Sequence, residues 1–214
     1  MYAMVCTRPD LAYLVSVLAW FVGIGRHDED HSKAAMRVLH YLQCTQDNAL
    51  ILGGMDPPVL TGFSKSSWAD ARPDHRRSQG YDFSLESGLI SWRSTRSSVA
   101  LSSLQAEQYA VTMAAQGELW LIYLPTDLGS PQPYPTLWCN NDSTMHLIKE
   151  AVFHGHSKHI ELRHYFARDL VQDGHLTVDK ILIRQPRQPL HQGLHRSNHS
   201  ALLRLLGLSP NPPS

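Results

Sequence analysis

The chain has 214 residues, 43% of them hydrophobic, which suits one domain of ordinary size with a smaller appendage and excludes a disordered polymer. Nineteen lysines and arginines balance nineteen aspartates and glutamates, so no global field draws the chain onto nucleic acid or an anionic membrane, leaving a local basic face as the route to such a partner. Cys6, Cys44 and Cys139 are odd in number, far apart and without CxxC spacing, and a reduced intracellular compartment, cytoplasmic or nuclear, is the simpler reading.

In chain order, the apolar run Leu11 to Ile24 is shorter than the ~20 residues of a membrane span, so it reads as a buried helix and no membrane partner is expected. Thr7 offers a capping hydroxyl, Pro9 suits a first turn, and Asp10 suits the positive end of the dipole; the helix should run to about Gly23. A second helix starts at Asp28 to Asp30, with Ala34, Ala35, Val38, Leu39 and Leu42 at helical spacing. Residues 1–56 thus form a two-helix unit that cannot bury both faces alone, and Gly53-Gly54 and Pro57-Pro58 mark its boundary.

Beyond the boundary the pattern changes to strands, at Val59 to Ser64, Gly80 to Leu85 and Leu89 to Arg93, which suggest an antiparallel meander. A long helix is expected from about Leu104 until Pro125. A short buried strand follows at Thr136 to Cys139, then helices at Ser143 to Glu150 and His159 to Gln172, and a last strand at Leu176 to Ile183. Residues 57–194 read as the main domain, and 195–214 as a short helix with a disordered tail, in which Ser209 to Ser214 frays. Trp92, Trp120 and Trp138 lie among apolar neighbours and read as core.

The order of three strands, long helix, strand and helix resembles the ribonuclease H plan: an α/β fold with a mixed five-stranded sheet flanked by helices, here preceded by the two-helix extension. Thr7-Arg8-Pro9-Asp10-Leu11-Ala12-Tyr13, Ile90-Ser91-Trp92, Ala100-Leu101-Ser102-Ser103, Glu118-Leu119-Trp120-Leu121 and Lys158-His159-Ile160 closely resemble the end of the Pol polyprotein of copia-type LTR retrotransposons. The match is collinear from about Met4 to about Leu208. It implies a thumb-like or connecting stretch that follows the reverse transcriptase palm, then a ribonuclease H domain. The implied partners are an RNA:DNA hybrid and the palm region, and the polymerase's own catalytic aspartates are not expected in this sequence.

Hybrid cleavage in active members of the family this chain resembles uses two magnesium ions ~3.5 to 4 Å apart, held by several carboxylates. Four acids are expected, and the resemblance carries them onto four positions here. Lys65 stands at the first, in Gly62 to Ala69, with Ser67 replacing an acid common two residues later. Glu107 retains the second. Asn140 replaces the third, and Gln188, in Arg187-Gln188, replaces the fourth. The formal charge of the set falls from about minus four to about zero, so catalysis is expected to be lost and no cofactor is expected, although magnesium belongs to active relatives.

Neighbouring acids offer little replacement. Asp142 lies two strand residues past Asn140, roughly 6 to 7 Å along, and reads as a helix cap, while Asp70 reads as a solvated loop charge. An active site rearranged onto Glu107, Asp142 and Glu161 is the enzymatic alternative. A non-catalytic module that binds nucleic acid or a polymerase partner is the other, with Lys158, His159, Arg163, His164 and Arg168 as its basic helical face. Arg72, His75, Arg76 and Arg77 read as solvated loop charge. His154, His156, His159 and His164 do not call for zinc, because no cysteine pair completes the set and the resemblance already accounts for most of them.

Overall fold

A computed structural model describes residues 1–52, 59–66, 78–85, 88–96, 103–127, 129, 134–149, 158–181, 203–204 and 206–210. The first helix, α1 (Tyr2–Cys6), precedes the start read from the sequence. Thr7 belongs to its end: the Thr7 hydroxyl donates to Ala3 C=O at 3.4 Å, so it does not cap the next helix. Pro9–Leu11 instead form a 3-10 turn with Arg8 at its N-cap, and this turn leads into α2 (Ala12–Gly23). The third helix, α3 (Glu29–Cys44), opens on a capping box, with Asp28 accepting from the His31 N–H at 3.0 Å.

A buried polar clamp joins the turn to the end of α3. Arg8 donates to both carboxylate oxygens of Asp10, at 3.0 and 2.7 Å, and to the carbonyl and hydroxyl of Thr45, at 3.0 and 2.8 Å. Tyr41 donates its hydroxyl to Asp10 at 2.7 Å and lies under the guanidinium. Burial and Asp10 together push the Tyr41 phenol well above its ordinary range.

The sheet contains β2 (Leu60–Ser66), β3 (Ser78–Leu85), β4 (Gly88–Arg96), β5 (Thr136–Cys139) and β6 (Thr177–Lys180) in the spatial order β4-β3-β2-β5-β6. The first three pair antiparallel, as the meander requires, while β2–β5 and β5–β6 are parallel. The parallel joins need helical crossovers, supplied by α4 (Ser103–Asp127), and by α5 (Asp142–Lys149) with α6 (Lys158–Gln172). The result is the expected mixed five-stranded α/β sheet. Helix α4 continues two residues beyond Pro125.

One face of the sheet carries the main core, where Phe83, Leu137 and Val178 meet Val111, Ala114 and Leu121 of α4 and Ala167 of α6. Gly62 is required there, since a Cβ would collide with the Phe83 ring. Gly117 lets α4 approach Tyr81 in the same way. Trp92 and Trp138 are partly buried, but Trp120 is 51% exposed and does not join the core expected of it.

The N-terminal helices pack on the other face, at β4. Trp92 Nε1 donates to Met4 C=O at 2.6 Å, and the Ser16 and Ser94 hydroxyls lie 3.4 Å apart. A second small sheet pairs β1 (Asn48–Leu50) antiparallel with β7 (Leu208–Pro210). Ser209 and Pro210, where fraying is expected, therefore pair with Ala49 and Asn48. The driving contact is apolar: Leu206 and Leu208 bury against Leu89 beside Leu50 and Trp92. Among the described residues no helix is long and apolar enough to cross a membrane.

The clamp generates a stability prediction. Asp10→Ala leaves the Arg8 guanidinium buried without its carboxylate, an unpaired charge that costs roughly 3 to 5 kcal/mol. Urea denaturation should show that loss, and a Tyr41→Phe change, which leaves the ion pair intact, should cost less.

Candidate functional site

Two strand ends and one helix converge at the candidate centre. Along β2 the residues facing α4 are Leu60, Gly62, Ser64 and Ser66, by strand alternation. Ser64 and Ser66 are buried polar residues. Glu107, in the second turn of α4, is only 6% exposed, and its Oε2 accepts from the Ser66 N–H at 3.1 Å. Burial pushes the Glu107 carboxyl up to about 7, against the opposing effects of the Ser66 N–H and the Lys65 ammonium. Lys65, half-buried at the end of β2, is lowered by burial and raised by Glu107. The two residues thus share one electrostatic site.

The parallel neighbour β5 ends beside them. Its register sets Trp138 level with Phe63, so Asn140 comes two residues further on, as Lys65 does on β2. Cys139 is fully buried, and burial pushes its thiol up to about 11, with the Glu107 carboxylate adding to the rise. Asn140 lies exposed in the bend that follows. Asn141, not Asp142, caps α5, its side-chain oxygen accepting from the Thr144 N–H at 3.1 Å. Asp142 instead accepts from Lys180 Nζ at 2.6 Å. The chain turns from strand to helix immediately after Asn140, so strand spacing does not carry Asp142 past it.

The structure therefore sets Glu107 on the Ser66 N–H, next in the chain to Lys65 and near enough for the two charges to act on each other, with Asn140 at the adjoining strand end. Gln188 and Asp70 lie outside the described residues, as do His154, His156 and the cluster from Arg72 to Arg77. Lys158, His159, Arg163 and His164 fall on α6, and their side chains, like that of Glu161, lie outside the described residues. Arg168, also on α6, is partly buried and sits 5.7 Å from the Tyr165 ring centroid. Among the described residues no three of histidine, cysteine, aspartate and glutamate are grouped to hold a metal ion.

Sequence reasoning missed Ser66 and Cys139 as neighbours of Glu107. Strand alternation marks Ser66, since it shares a face with Gly62, which must be small to accept Phe83. The role of its backbone N–H has no sequence signal.

The strand order, with two parallel joins beside an antiparallel meander and α4 crossing it, defines a ribonuclease H-like domain. No family model matches the chain. It is 34% identical over 213 residues, 99% of its length, to the Pol polyprotein of transposon TNT 1-94 from Nicotiana tabacum. It is 33% identical over 211 residues to that of transposon RE2 from Arabidopsis thaliana. The chain belongs to the Pol polyprotein family of copia-type transposons, and it spans 16% and 14% of the length of these two relatives. It is also 42% identical over 122 residues to secreted RxLR effector protein 161 of Plasmopara viticola, covering 84% of that protein and 56% of this chain. Among solved structures, the ribonuclease H1 of Halobacterium salinarum NRC-1 has a TM-score of 0.41 and 12% identity, over 58% of this chain and 86% of that one. That likeness is slight, and the fold is assigned from strand order and pairing.

Glu107 makes stability depend on pH in a definite direction. Its carboxyl rises from 4.5 to about 7 on folding, so the folded state holds a proton that the unfolded state releases. The stabilising contribution is complete below about pH 4.5 and disappears as pH rises through about 7, a change on the order of 3 kcal/mol. Glu107→Gln should match the natural chain near pH 4.5 and be the more stable of the two at pH 8. Thermal melts of both proteins across that range check the sign.

Proposed function

We propose that this domain descends from a nuclease acting on the RNA strand of RNA:DNA hybrids and does not itself cleave them. The observation that carries the reading is that Glu107, the acid retained of the family's set, accepts the N–H of Ser66 next in the chain to Lys65, so a cation rather than a carboxylate stands at the neighbouring position. A two-magnesium centre needs several anionic oxygens at one point. The donors here do not fit it: Glu107 already accepts a backbone N–H and holds a proton near neutrality, Lys65 repels a dication, and Asn140 contributes a neutral amide. Gln188, at the fourth position, adds another neutral amide. Rescue by Asp142 would first require its release from Lys180.

Cleavage of a labelled hybrid with magnesium or manganese tests this directly. The natural chain should not cut. The triple change Lys65→Asp, Asn140→Asp and Gln188→Asp should restore metal-dependent cutting, and a further Glu107→Gln should remove it. Cutting by the natural chain that Glu107→Gln abolishes would overturn the reading and favour the rearranged site.

Loss of cutting does not require loss of binding. The five basic positions of α6, Lys158, His159, Arg163, His164 and Arg168, lie within three turns of one helix, a spacing suited to successive phosphates. In this reading the helix contacts an RNA:DNA hybrid, and the reverse transcriptase palm region is the protein partner. An intracellular site, cytoplasmic or nuclear, suits three free cysteines. Hybrid affinity should fall as salt is raised, and Lys158→Glu with Arg163→Glu should flatten that dependence. No binding at low salt would exclude the hybrid as a partner.

A further inference from the structure

Strand β4 is the outer strand on the antiparallel side of the sheet. Such an edge offers a row of backbone N–H and C=O groups to any strand that can align with it. Near the start of β4, the Leu89 N–H donates to Leu206 C=O at 3.4 Å. From Ser91 to Thr95, among the described residues, backbone bonding runs to β3 alone.

A cleft of about 650 Å³ follows this stretch, between β4 and the N-terminal helices. Met4, Trp20 and Trp92 form its apolar wall, and Arg93, Thr95 and Arg96 continue the lining along the strand. Both faces of β4 contribute: Ser94 meets Ser16 of α2, whereas Thr95 donates to Met113 Sδ of α4 at 3.9 Å. The cleft therefore wraps the strand edge. Arg93 is exposed, and no acidic residue of the described chain lines the cleft.

We propose that this edge accepts an extended segment of another protein as an added strand. An apolar side chain of that segment enters between Met4, Trp20 and Trp92, and an acidic side chain on its other face meets Arg93. Main-chain bonds supply the affinity and the alternate side chains supply the selection. A second copy of this chain fits less well. A symmetric antiparallel pair of β4 strands sets residues of the same face opposite one another, and centred on the exposed Arg93 it opposes that arginine to its own copy, an arrangement of like charges that is destabilising. The surface uses neither Lys65 nor Glu107, so it stands or falls apart from the nuclease question.

The test titrates the whole chain with a fluorescein-labelled peptide alternating valine with aspartate, and with its counterpart alternating valine with lysine. The acidic peptide should bind saturably and slow amide exchange from Ser91 to Thr95. Arg93→Glu, checked for unchanged circular dichroism, should reverse the preference by about tenfold towards the lysine peptide. Equal binding of the two peptides, unaltered exchange along that stretch, or sedimentation showing the chain paired with itself through β4 would each overturn the proposal.

Discussion

The parallel pairing of β2 with β5 is the constraint on which the candidate centre depends. Because the strands run the same way with Phe63 level with Trp138, both end at one edge of the sheet, and Lys65 and Asn140 follow from that register. The crossover between them requires a helix, and α4, lying against β2 and β3 across Gly62 and Gly117, delivers Glu107 to the Ser66 N–H. This geometry does not require carboxylates at all three positions. A fold held by Phe83, Leu137, Val111 and Val178 can therefore keep its shape while the charge at its centre changes.

The retained acid shows what such a change entails. A buried carboxylate is costly unless a cation or several hydrogen bonds compensate for lost solvation. Glu107 has one backbone N–H and the Lys65 ammonium, and a rise to about 7 means that a proton supplies much of the remaining compensation. The Lys65 ammonium offsets the ionised carboxylate and a proton replaces the charge in part, so the centre carries no net negative charge. Substituting Lys65 with an acid in the absence of metal would remove the cation and add a second anion, so the pair would become less stable rather than more.

Much of this arrangement is legible in the sequence. The strands, the long helix and the helix opening at Asp28 follow from periodicity and capping residues, because each is decided within a few residues of itself. The misreadings are those where distant contacts decide. Thr7 looks like a cap for the apolar helix, yet α1 forms before it and takes the hydroxyl. Ser209 and Pro210 look like a frayed end, yet they pair with Ala49 and Asn48 across the whole length of the chain, while Leu208 closes a leucine cluster. Trp120 has apolar neighbours in sequence and solvent beside it in space. At the centre, residue identities at Lys65, Glu107 and Asn140 are readable, but the Ser66 N–H and the resulting protonation of Glu107 appear only once α4 is set on β2.

The central claim is that no dication is held where Lys65 meets Glu107. Paramagnetic broadening of amide resonances on titration with manganese measures this without requiring catalysis. The account predicts no saturable broadening at Ser66, Glu107 or Asn140. Saturable, magnesium-competable broadening confined to those residues would contradict it.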